Sequence, residues 1–497
     1  MLFSLLLSAA AVSSAATLSV RADAGDTACT TIASSLGEAQ VAINPLNASY
    51  IDSRHDYWNA RQSEYRPSCV VYPKSSQDVS VALQAIRASG SRFAVKAGGH
   101  SPNNFFSSVD RGVLIDFKSM TAKSYDAATT LATYEPGSNW GQLYAFYQQY
   151  GRTVMGGRLS GVGTGLALGG GLSYLAPQYG MACDSFKELE VVLPNGTITT
   201  ASATSNPDLF FGLRGGGGNA FGIVTRYTVQ SHPINRFYAG TIIYVLDHAQ
   251  AVLDAVRDFI TYNTDPKASI MATYETLTTP DVLLNLDEII VLFLVYDGAD
   301  PGTAFHNFTQ IPHLLDTSKP NKTYTEVADM PIPYTAELSR ADNMFRIGAH
   351  RIEGAAGNPQ KPRELYERYA AWANANKGLY VYVALNFYPV SRSMTDASRA
   401  RGGNAMQMPD GPWFWVNYIL STPPGLLPSV YDKVQASFRA MVEATPSASD
   451  LPLFLNEAAV DQRPLASFPT YGRLQQIKRQ YDPEGFFTSK TGGWTFG

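Results

Sequence analysis

The feature that most constrains this chain is a set of three glycine-rich segments that border short apolar runs. They are KAGGHS at 96–101, GGRLSGVGTGLALGGGLS at 156–173 and LRGGGGNAFGIVT at 213–225. Glycine lets backbone N–H groups approach a ligand closely, and a strand that ends in a glycine turn exposes amides suited to phosphate. None of the segments has the GxxxxGKS/T spacing, or GxGxxG at a strand-to-helix turn followed by an acidic residue. We therefore expect a large phosphate-bearing ligand in a different fold.

A histidine follows the first glycine pair directly, just after the apolar residues 93–95. Backbone amides alone can hold a phosphate, so phosphate binding gives no reason for an imidazole at this position. The presence of His100 therefore requires a second kind of chemistry.

The composition is that of a folded, aromatic-rich protein. Of the 497 residues, 45% are apolar and only 16% are charged, with 28 Tyr and 24 Phe. Disordered chains carry fewer aromatic residues and more charge. The formal net charge is −4 and the chain contains no run of Lys or Arg, so we expect no nucleic-acid partner.

The N-terminal segment MLFSLLLSAAAVSSAATLSV has the apolar core and the small residues of a secretory signal peptide, which we assign to residues 1–16. A buried first helix is the alternative. No later apolar run reaches the length of a membrane span, so we expect no membrane partner. Glycosylation sites of the form Asn-x-Ser/Thr begin at Asn47, Asn195, Asn307 and Asn321. These features predict a secreted, extracellular glycoprotein.

Three cysteines allow one disulfide and leave one thiol. Cys29 and Cys69 both lie in the N-terminal region, and secretion favours their oxidation, so we predict that they pair. Cys183 is flanked by apolar residues and is expected to be a buried free thiol.

Two late strand candidates, residues 380–388 and 413–420, show a clear period of two. One face of each is apolar, whereas the other carries Tyr382, Asn386, Trp415 and Asn417. A solvent-facing sheet normally shows Lys, Glu or Thr, and this face shows none of them. We therefore predict that it forms the wall of an aromatic ligand pocket, with exposure to solvent as the alternative.

Four segments in order along the chain resemble the FAD-linked oxidases of the vanillyl-alcohol oxidase / p-cresol methylhydroxylase superfamily. They are VKAGGHSPNNFFSS, ALGGGLSYLAPQYGMACDSF, NPDLFFGLRGGGGNAFGIVT and the C-terminal LNEAAVDQRP with YGRLQQIKRQYDPEGFF. The chain is most similar to the berberine-bridge-enzyme-like branch in its fungal secreted form. The resemblance runs from about residue 50 to the C-terminus and is weaker between 238 and 450.

The resemblance implies an α+β fold, with a two-part FAD-binding domain and a substrate domain whose antiparallel sheet is covered by helices. We accordingly expect a signal peptide at 1–16, an N-terminal segment at 17–65, the FAD-binding domain at 66–237, the substrate domain at 238–452 and a return to the FAD domain at 453–497.

The resemblance also explains the histidine, because in this family the His of GGH bonds to the 8α carbon of the flavin. His100 occupies that place, and a histidine that merely caps the next turn is the alternative. The residues implied to hold FAD are His100, Lys96, Ala97, Gly98, Gly99, Ser101, Gly157, Gly161, Gly163, Thr164, Gly169, Gly170, Gly222, Ile223, Val224 and Asn456. No metal site is expected.

The chain departs from the family pattern near the second glycine segment. Many relatives carry a cysteine there that makes a second link to the flavin C6, but residues 154–173 contain no cysteine, and Leu159 and Ser160 lie near that place. We therefore predict a single covalent attachment, at His100.

The catalytic base differs as well. The tyrosine of the family's Y-x-N signature is replaced by Phe454, and Asn417 matches a position that is acidic or amide in plant relatives. An amide orients a substrate but is not a useful base near neutral pH. The resemblance leaves Tyr382 as a candidate base, loss of the proton to water as a second route, and an ordinary strand role for Asn417 as the alternative.

The expected function is that of a secreted, monomeric flavin-dependent oxidase. A moderately apolar alcohol, amine or secondary metabolite would pass a hydride to FAD, and O2 would reoxidise the cofactor and give H2O2. The alternatives are an oligosaccharide oxidase and a secreted glycoprotein that keeps the fold without catalysis.

Overall fold

An eight-stranded antiparallel sheet dominates the C-terminal half of the chain. The computed structural model describes residues 23–278, 286–331, 341–355 and 357–496, so the predicted signal peptide lies outside the described residues. Within these ranges the main path of the sheet runs β15-β12-β14-β13-β18-β19-β17, and β16 pairs with β12. The strands are β1 Val41–Ala42, β2 Cys69–Val71, β3 Phe93–Lys96, β4 Val113–Asp116, β5 Lys123–Asp126, β6 Leu131–Tyr134, β7 Arg152–Thr153, β8 Phe186–Val192, β9 Ile198–Ser202, β10 Ile223–Gln230, β11 His232–Pro233, β12 Phe237–Tyr244, β13 Ala268–Leu277, β14 Glu288–Tyr296, β15 Leu315–Asp316, β16 Lys319–Lys322, β17 Asp342–Arg351, β18 Tyr382–Val390 and β19 Trp413–Thr422.

In the described part of the N-terminal half there are two larger sheets and a two-stranded sheet of β7 and β11. The first has the order β1-β2-β4-β3, with β2, β3 and β4 parallel, and the second is antiparallel with the order β5-β6-β10-β8-β9. The α-helices are Ala24–Leu36, Ala48–His55, Ser76–Ser89, Trp140–Gln148, Ala176–Tyr179, Pro207–Leu213, Ala249–Tyr262, His306–Thr309, Tyr324–Ala328, Lys361–Ala375, Arg392–Ala400, Pro428–Glu443, Tyr471–Tyr481 and Phe486–Lys490. The fold is therefore α+β, as predicted.

The helix Ser76–Ser89 shows how local sequence builds the first sheet layer. The Ser75 hydroxyl accepts a hydrogen bond from the Asp78 N–H at 3.2 Å, and Gly90 ends the helix with a φ of 71°. Its apolar face, including Leu83, is fully buried against β2 and β4, and each such large side chain contributes roughly 1.5–3 kcal/mol. This packing positions β3, whose C-terminal end leads into the glycine pair.

The large sheet has one face under helices and one face turned toward the N-terminal half. Helices Ala249–Tyr262, Lys361–Ala375 and Pro428–Glu443 cover Val383, Leu385 and the rest of the apolar face. The predicted division of β18 and β19 into an apolar face and a Tyr/Trp/Asn face is therefore confirmed. Among the residues described, no helix is long and apolar enough to cross a bilayer.

The disulfide joins the first helix to the first sheet. Cys29 in helix Ala24–Leu36 is bonded to Cys69 in β2, with 5.8 Å between their Cα atoms, and Cys183 is a buried free thiol. Both predictions about the cysteines are confirmed.

Removing this disulfide should destabilise the protein measurably. The bridge closes a loop with a sequence separation of 40 residues, which restricts the unfolded chain by about 4 kcal/mol in the chain-entropy model. We expect the double variant Cys29→Ser/Cys69→Ser to melt at a clearly lower temperature than wild type in a thermal unfolding scan, whereas Ser34→Ala, on the exposed side of the same helix, should not. Equal melting temperatures for the double variant and wild type would contradict the prediction.

Candidate functional site

A cavity of about 820 Å³ lies between the glycine segments and the inner face of the large sheet. Its volume is at the upper end of the range for small-molecule sites. From the N-terminal half it is lined by the predicted cofactor-binding residues Ala97, Gly98, Gly99, His100, Ser101, Gly161, Gly163, Gly169, Gly222, Ile223, Val224 and, from the C-terminal return, Asn456. The large sheet contributes Met271, Thr273, Glu275, Phe293, Phe345, Tyr382, Asn386, Tyr388, Asn417 and Ile419.

The first two glycine segments are in backbone contact with each other. A Cβ atom placed on Gly98 would lie 2.6 Å from the backbone nitrogen of Gly163 and 2.7 Å from its Cα atom. Gly99 adopts a φ of 62°, in the left-handed region that favours glycine. The loops thus form a cradle of bare backbone, which is the surface a phosphate group needs for close contact with N–H groups.

His100 lies in the cavity wall beside this cradle. Its ring stacks on Trp58 with 5.0 Å between ring centroids and 11° between the ring planes. The backbone N–H of Trp58 donates to the Gly99 carbonyl at 3.2 Å. Trp58 therefore contacts both the His100 ring and the loop that carries it. Burial lowers the pKa of His100 to about 4. The imidazole is therefore neutral at physiological pH and keeps a nitrogen lone pair for bonding to carbon.

The predicted catalytic residues Asn417 and Tyr382 both lie on the cavity wall and are buried. Asn386 on β18 donates a hydrogen bond from its Nδ2 to the Oδ1 of Asn417 at 3.0 Å. This bond fixes the Asn417 amide, whose own Nδ2 has no hydrogen-bond partner among the described residues. Burial, followed by the charge of Glu275, raises the pKa of Tyr382 well above its usual value, so this phenol stays protonated. Tyr382 is thus a poor base, contrary to the expectation.

Glu275 is a site residue that the sequence reasoning missed. It lies on β13, next to Tyr382 on the neighbouring strand, and only 2% of it is exposed. Burial raises the pKa of its carboxyl to about 8, although hydrogen bonding from Tyr382 opposes the rise. In the segment ASIMATYETL, Glu275 is an isolated acidic residue among apolar and hydroxyl side chains. This was the signal that could have identified it.

A second carboxyl in the cavity is paired with a cation. The Arg158 Nη2 lies 2.8 Å from the Oε1 of Glu457, and its guanidinium lies 4.0 Å above the ring of Tyr388. Burial raises the pKa of Glu457, and Arg158 opposes that rise. The pair therefore closes one side of the cavity as a largely neutralised unit.

Asn456 connects the C-terminal return to the second glycine segment. Its Nδ2 donates to the carbonyl oxygens of Leu166 at 2.9 Å and of Gly169 at 3.3 Å. A Cβ atom on Gly169 would collide with the Asn456 amide oxygen. Asn456 therefore reaches the cavity, as predicted, and also holds the glycine segment in place.

Four predicted cofactor-binding residues lie behind the cavity wall. Lys96 is buried in an ion pair with Asp116 at 3.4 Å, and the Thr164 hydroxyl donates to the Pro136 carbonyl at 3.0 Å. Gly157 packs against Trp140, and Gly170 packs against methionine side chains. These residues support the loops that line the cavity.

The prediction that Trp415 forms part of the ligand wall is wrong. It lies on the expected face of β19, but it is fully buried and its indole N–H donates to the Pro452 carbonyl at 2.7 Å. Phe454 stacks over it, with 5.2 Å between ring centroids, and itself lines the cavity. Phe454 therefore presents the aromatic surface that was expected of Trp415.

Comparison with known proteins agrees with this geometry. Residues 67–202 match the model of an FAD binding domain, and residues 469–492 match the model described as berberine and berberine like. An uncharacterized FAD-linked oxidoreductase of Arthroderma benhamiae is 34% identical over 91% of this chain and 92% of its own length. The chain belongs to the berberine-bridge-enzyme-like FAD-linked oxidoreductases. The bifunctional solanapyrone synthase of Alternaria solani is 30% identical to this oxidoreductase, over 85% of this chain and 80% of the synthase.

Solved structures confirm the fold of this oxidoreductase. Berberine bridge enzyme from Eschscholzia californica superposes with a TM-score of 0.73 at 16% identity, covering 94% of this chain and 100% of that structure. A carbohydrate oxidase from Microdochium nivale superposes with a TM-score of 0.75 at 20% identity, covering 93% of this chain and 98% of that structure. These TM-scores, over nearly the whole of each chain, establish the shared architecture.

The residues of the cavity fit FAD. The bare-backbone contact between Gly98 and Gly163 suits the pyrophosphate, and the neutral imidazole of His100 has the lone pair that a bond to the flavin needs. The apolar and aromatic wall beyond His100 suits a flat ring system. The residues that line the cavity are thus compatible with the cofactor of this family.

The contact between the two glycine loops predicts the effect of adding a single methyl group. Gly98→Ala would place a Cβ atom 2.6 Å from the Gly163 nitrogen, and overpacking of this kind typically costs about 1–3 kcal/mol. We expect the flavin-to-protein absorbance ratio of the purified variant to fall clearly below that of wild type. The control Gly472→Ala, on a helix with open space around it, should keep the wild-type ratio. A wild-type ratio for Gly98→Ala would contradict the proposed cradle.

Proposed function

We propose that this oxidoreductase is a secreted oxidase that carries one covalent FAD on His100 and oxidises a moderately apolar alcohol or amine. FAD, when bound, supplies the acceptor for the substrate's hydride and passes the electrons to O2, which gives H2O2. The observation that carries the proposal is the neutral His100 imidazole, stacked on Trp58 between the phosphate cradle and the sheet wall.

Cofactor binding and substrate binding are assigned to two different ends of the cavity. The glycine loops hold and orient the cofactor, while the sheet face, with Asn417 fixed by Asn386, orients the substrate. The aromatic groups Phe293, Phe345 and Phe454 add apolar surface to the wall. We take this surface to favour a moderately apolar substrate over an oligosaccharide, which carries more hydroxyls that need partners.

Several features support secretion. All four asparagines of the predicted glycosylation sites are exposed, as enzymatic glycosylation requires. The Cys29–Cys69 disulfide suits an oxidising compartment. Expression of the full sequence in a fungal host tests this part of the proposal, because the protein should accumulate in the medium with glycans on these asparagines.

The oxidase chemistry needs its own test, because relatives at 27–30% identity include proteins named FAD-dependent monooxygenases, such as one from Penicillium terrestre. We expect the holoenzyme, screened with benzylic and allylic alcohols and the matching amines, to release peroxide in equal amount to product. With isotopically labelled dioxygen the label should appear in the peroxide and be absent from the product. Label in the product, or turnover without peroxide, would contradict the oxidase proposal.

Covalent attachment predicts a second result. After denaturation in detergent, the wild-type polypeptide should retain flavin fluorescence on a gel, because the His100 bond survives unfolding. His100→Ala should lose this covalent flavin completely, while the glycine cradle retains part of the cofactor until the protein is denatured. The control Trp58→Phe keeps an aromatic partner for the imidazole and should remain covalently labelled. Release of all flavin from the wild type would exclude the bond.

Peptide mass mapping extends this test to the number of links. Leu159 and Ser160 line the cavity, and neither side chain can form the second link of the family. The remaining thiol, Cys183, is buried and belongs to the hydrophobic core. One flavin-bearing peptide, containing His100, is expected, and a second such peptide would contradict single attachment.

A further inference from the structure

The Glu275 carboxyl differs from the other carboxyls that line the cavity. Asp56 and Asp329 are exposed at the cavity's edge, and Glu457 is paired with Arg158. Glu275 is buried and forms no ion pair among the described residues, and its Oε2, like that of Glu457, has no hydrogen-bond partner there. A buried polar atom without a partner costs free energy, so its retention in a cavity wall marks a candidate for function.

The groups that act on Glu275 supply no positive charge. Tyr382 on β18 faces it and hydrogen bonds to it, and Tyr369, from the helix on the other side of the sheet, interacts with it electrostatically. The nearest cation of the cavity wall, Arg158, is already paired with Glu457. The carboxyl therefore changes its protonation near pH 8, where a group can accept a proton and release it again.

A polar donor lies on the same wall. Asn417 Nδ2 is buried and unpartnered in the described part of the chain, because Asn386 occupies the other end of this amide. On β18, Ala384 lies opposite Glu275 of β13, and Asn386 lies opposite Asn417 of β19. Glu275 and Asn417 are therefore on strands two strand spacings apart. An acceptor and a donor without partners of their own among the described residues thus face the cavity from the same wall.

We propose that Glu275 is the catalytic base of this enzyme, and that it takes the proton of a hydroxyl on the carbon to be oxidised, while Asn417 Nδ2 donates to a second oxygen of the same substrate. This inference rests on the proposed function and deepens it, since it assigns the substrate to the alcohols. In the step, the O–H bond breaks and its proton moves to Glu275 Oε2. The C–H bond breaks as the hydride leaves with its electron pair to the cofactor of the proposed function, and the carbon–oxygen bond becomes a carbonyl.

The chemistry of the wall favours an alcohol over an alkylamine. At neutral pH an alkylamine is a cation, and its burial in this apolar cavity would need a carboxylate already ionised to receive it. Glu275 is protonated at neutral pH and accommodates a neutral hydroxyl without bringing a net charge into the cavity.

The pH profile of kcat/KM tests the role of Glu275. Because its pKa is raised to about 8 and the base must be ionised, kcat/KM for 4-methoxycinnamyl alcohol, whose second oxygen can accept from Asn417, should rise about tenfold per pH unit up to pH 8 and level off above it. Glu275→Gln should lower kcat/KM at pH 9 by about 100-fold or more and abolish this rise, and Glu275→Asp should retain it at a lower rate. The exposed control Glu188→Gln should behave as wild type. A Glu275→Gln variant with the wild-type profile would overturn the inference.

Two further measurements do not depend on turnover. Infrared difference spectra of the wild-type holoenzyme between pH 6 and pH 10 should show the loss of a protonated carboxyl band near pH 8, and Glu275→Gln should lack this change. Isothermal calorimetry on the reduced holoenzyme without O2 at pH 9, where Glu275 is ionised, should show wild type binding 4-methoxycinnamyl alcohol at least tenfold more tightly than the methyl ether of its hydroxyl, which has no proton to donate, with Glu275→Gln reducing this preference.

These outcomes distinguish a failure of the proposed function from a failure of the assignment of Glu275. Absence of peroxide with every alcohol and amine would remove the proposed function, whereas the spectra and the calorimetry would still decide whether Glu275 titrates and recognises a hydroxyl. Peroxide from amines alone, equal binding of the alcohol and its ether, or an unchanged carboxyl band would each overturn the assignment of Glu275.

Discussion

The active cavity depends on one steric constraint, the contact between the bare backbones of Gly98 and Gly163. Any side chain at either position would separate the two loops and move His100 away from the cavity. The same loop is tied to the large sheet through Asn59, whose Nδ2 donates to the Pro102 carbonyl at 2.7 Å and to the Asn343 carbonyl at 3.1 Å. Asn59 thus helps to fix the cofactor end and the substrate end of the cavity relative to each other, together with the contact of Trp58 with Phe345 on β17.

Much of the cofactor end could be predicted from the sequence, because its signals are local. The glycine pair and His100 are contiguous, and the backbone conformation they require is encoded by those residues alone. The faces of β18 and β19 were also predictable, since side-chain direction alternates along any strand and the helix-facing side had to be apolar. The disulfide followed from the small number of cysteines.

The substrate end could be predicted only in part, because its signals are set by tertiary partners. The strands β13 and β17 escaped recognition, since polar residues such as Glu275 and Arg346 interrupt their apolar pattern. Arg346 is tolerated there because its Nη1 forms an ion pair with Oδ1 of Asp461, far along the chain, at a distance of 2.8 Å. Trp415 was assigned to the correct face, but periodicity carries no information about depth, and Phe454 from another segment covers it. The missed strand β13 is also the reason that Glu275 was missed.

The hydrogen bonds of Asn456 to the second glycine segment have a consequence for biosynthesis. Asn456 is made 290 residues after Leu166, whose carbonyl it binds. Until that segment has emerged and docked, the nascent chain presents a half-built cleft whose apolar wall is open to solvent. Contacts between such distant residues form late because the intervening loop must first be closed. The cavity wall that Asn456 completes is therefore finished only after nearly the whole chain has been synthesised and its last segment has packed against the second glycine segment.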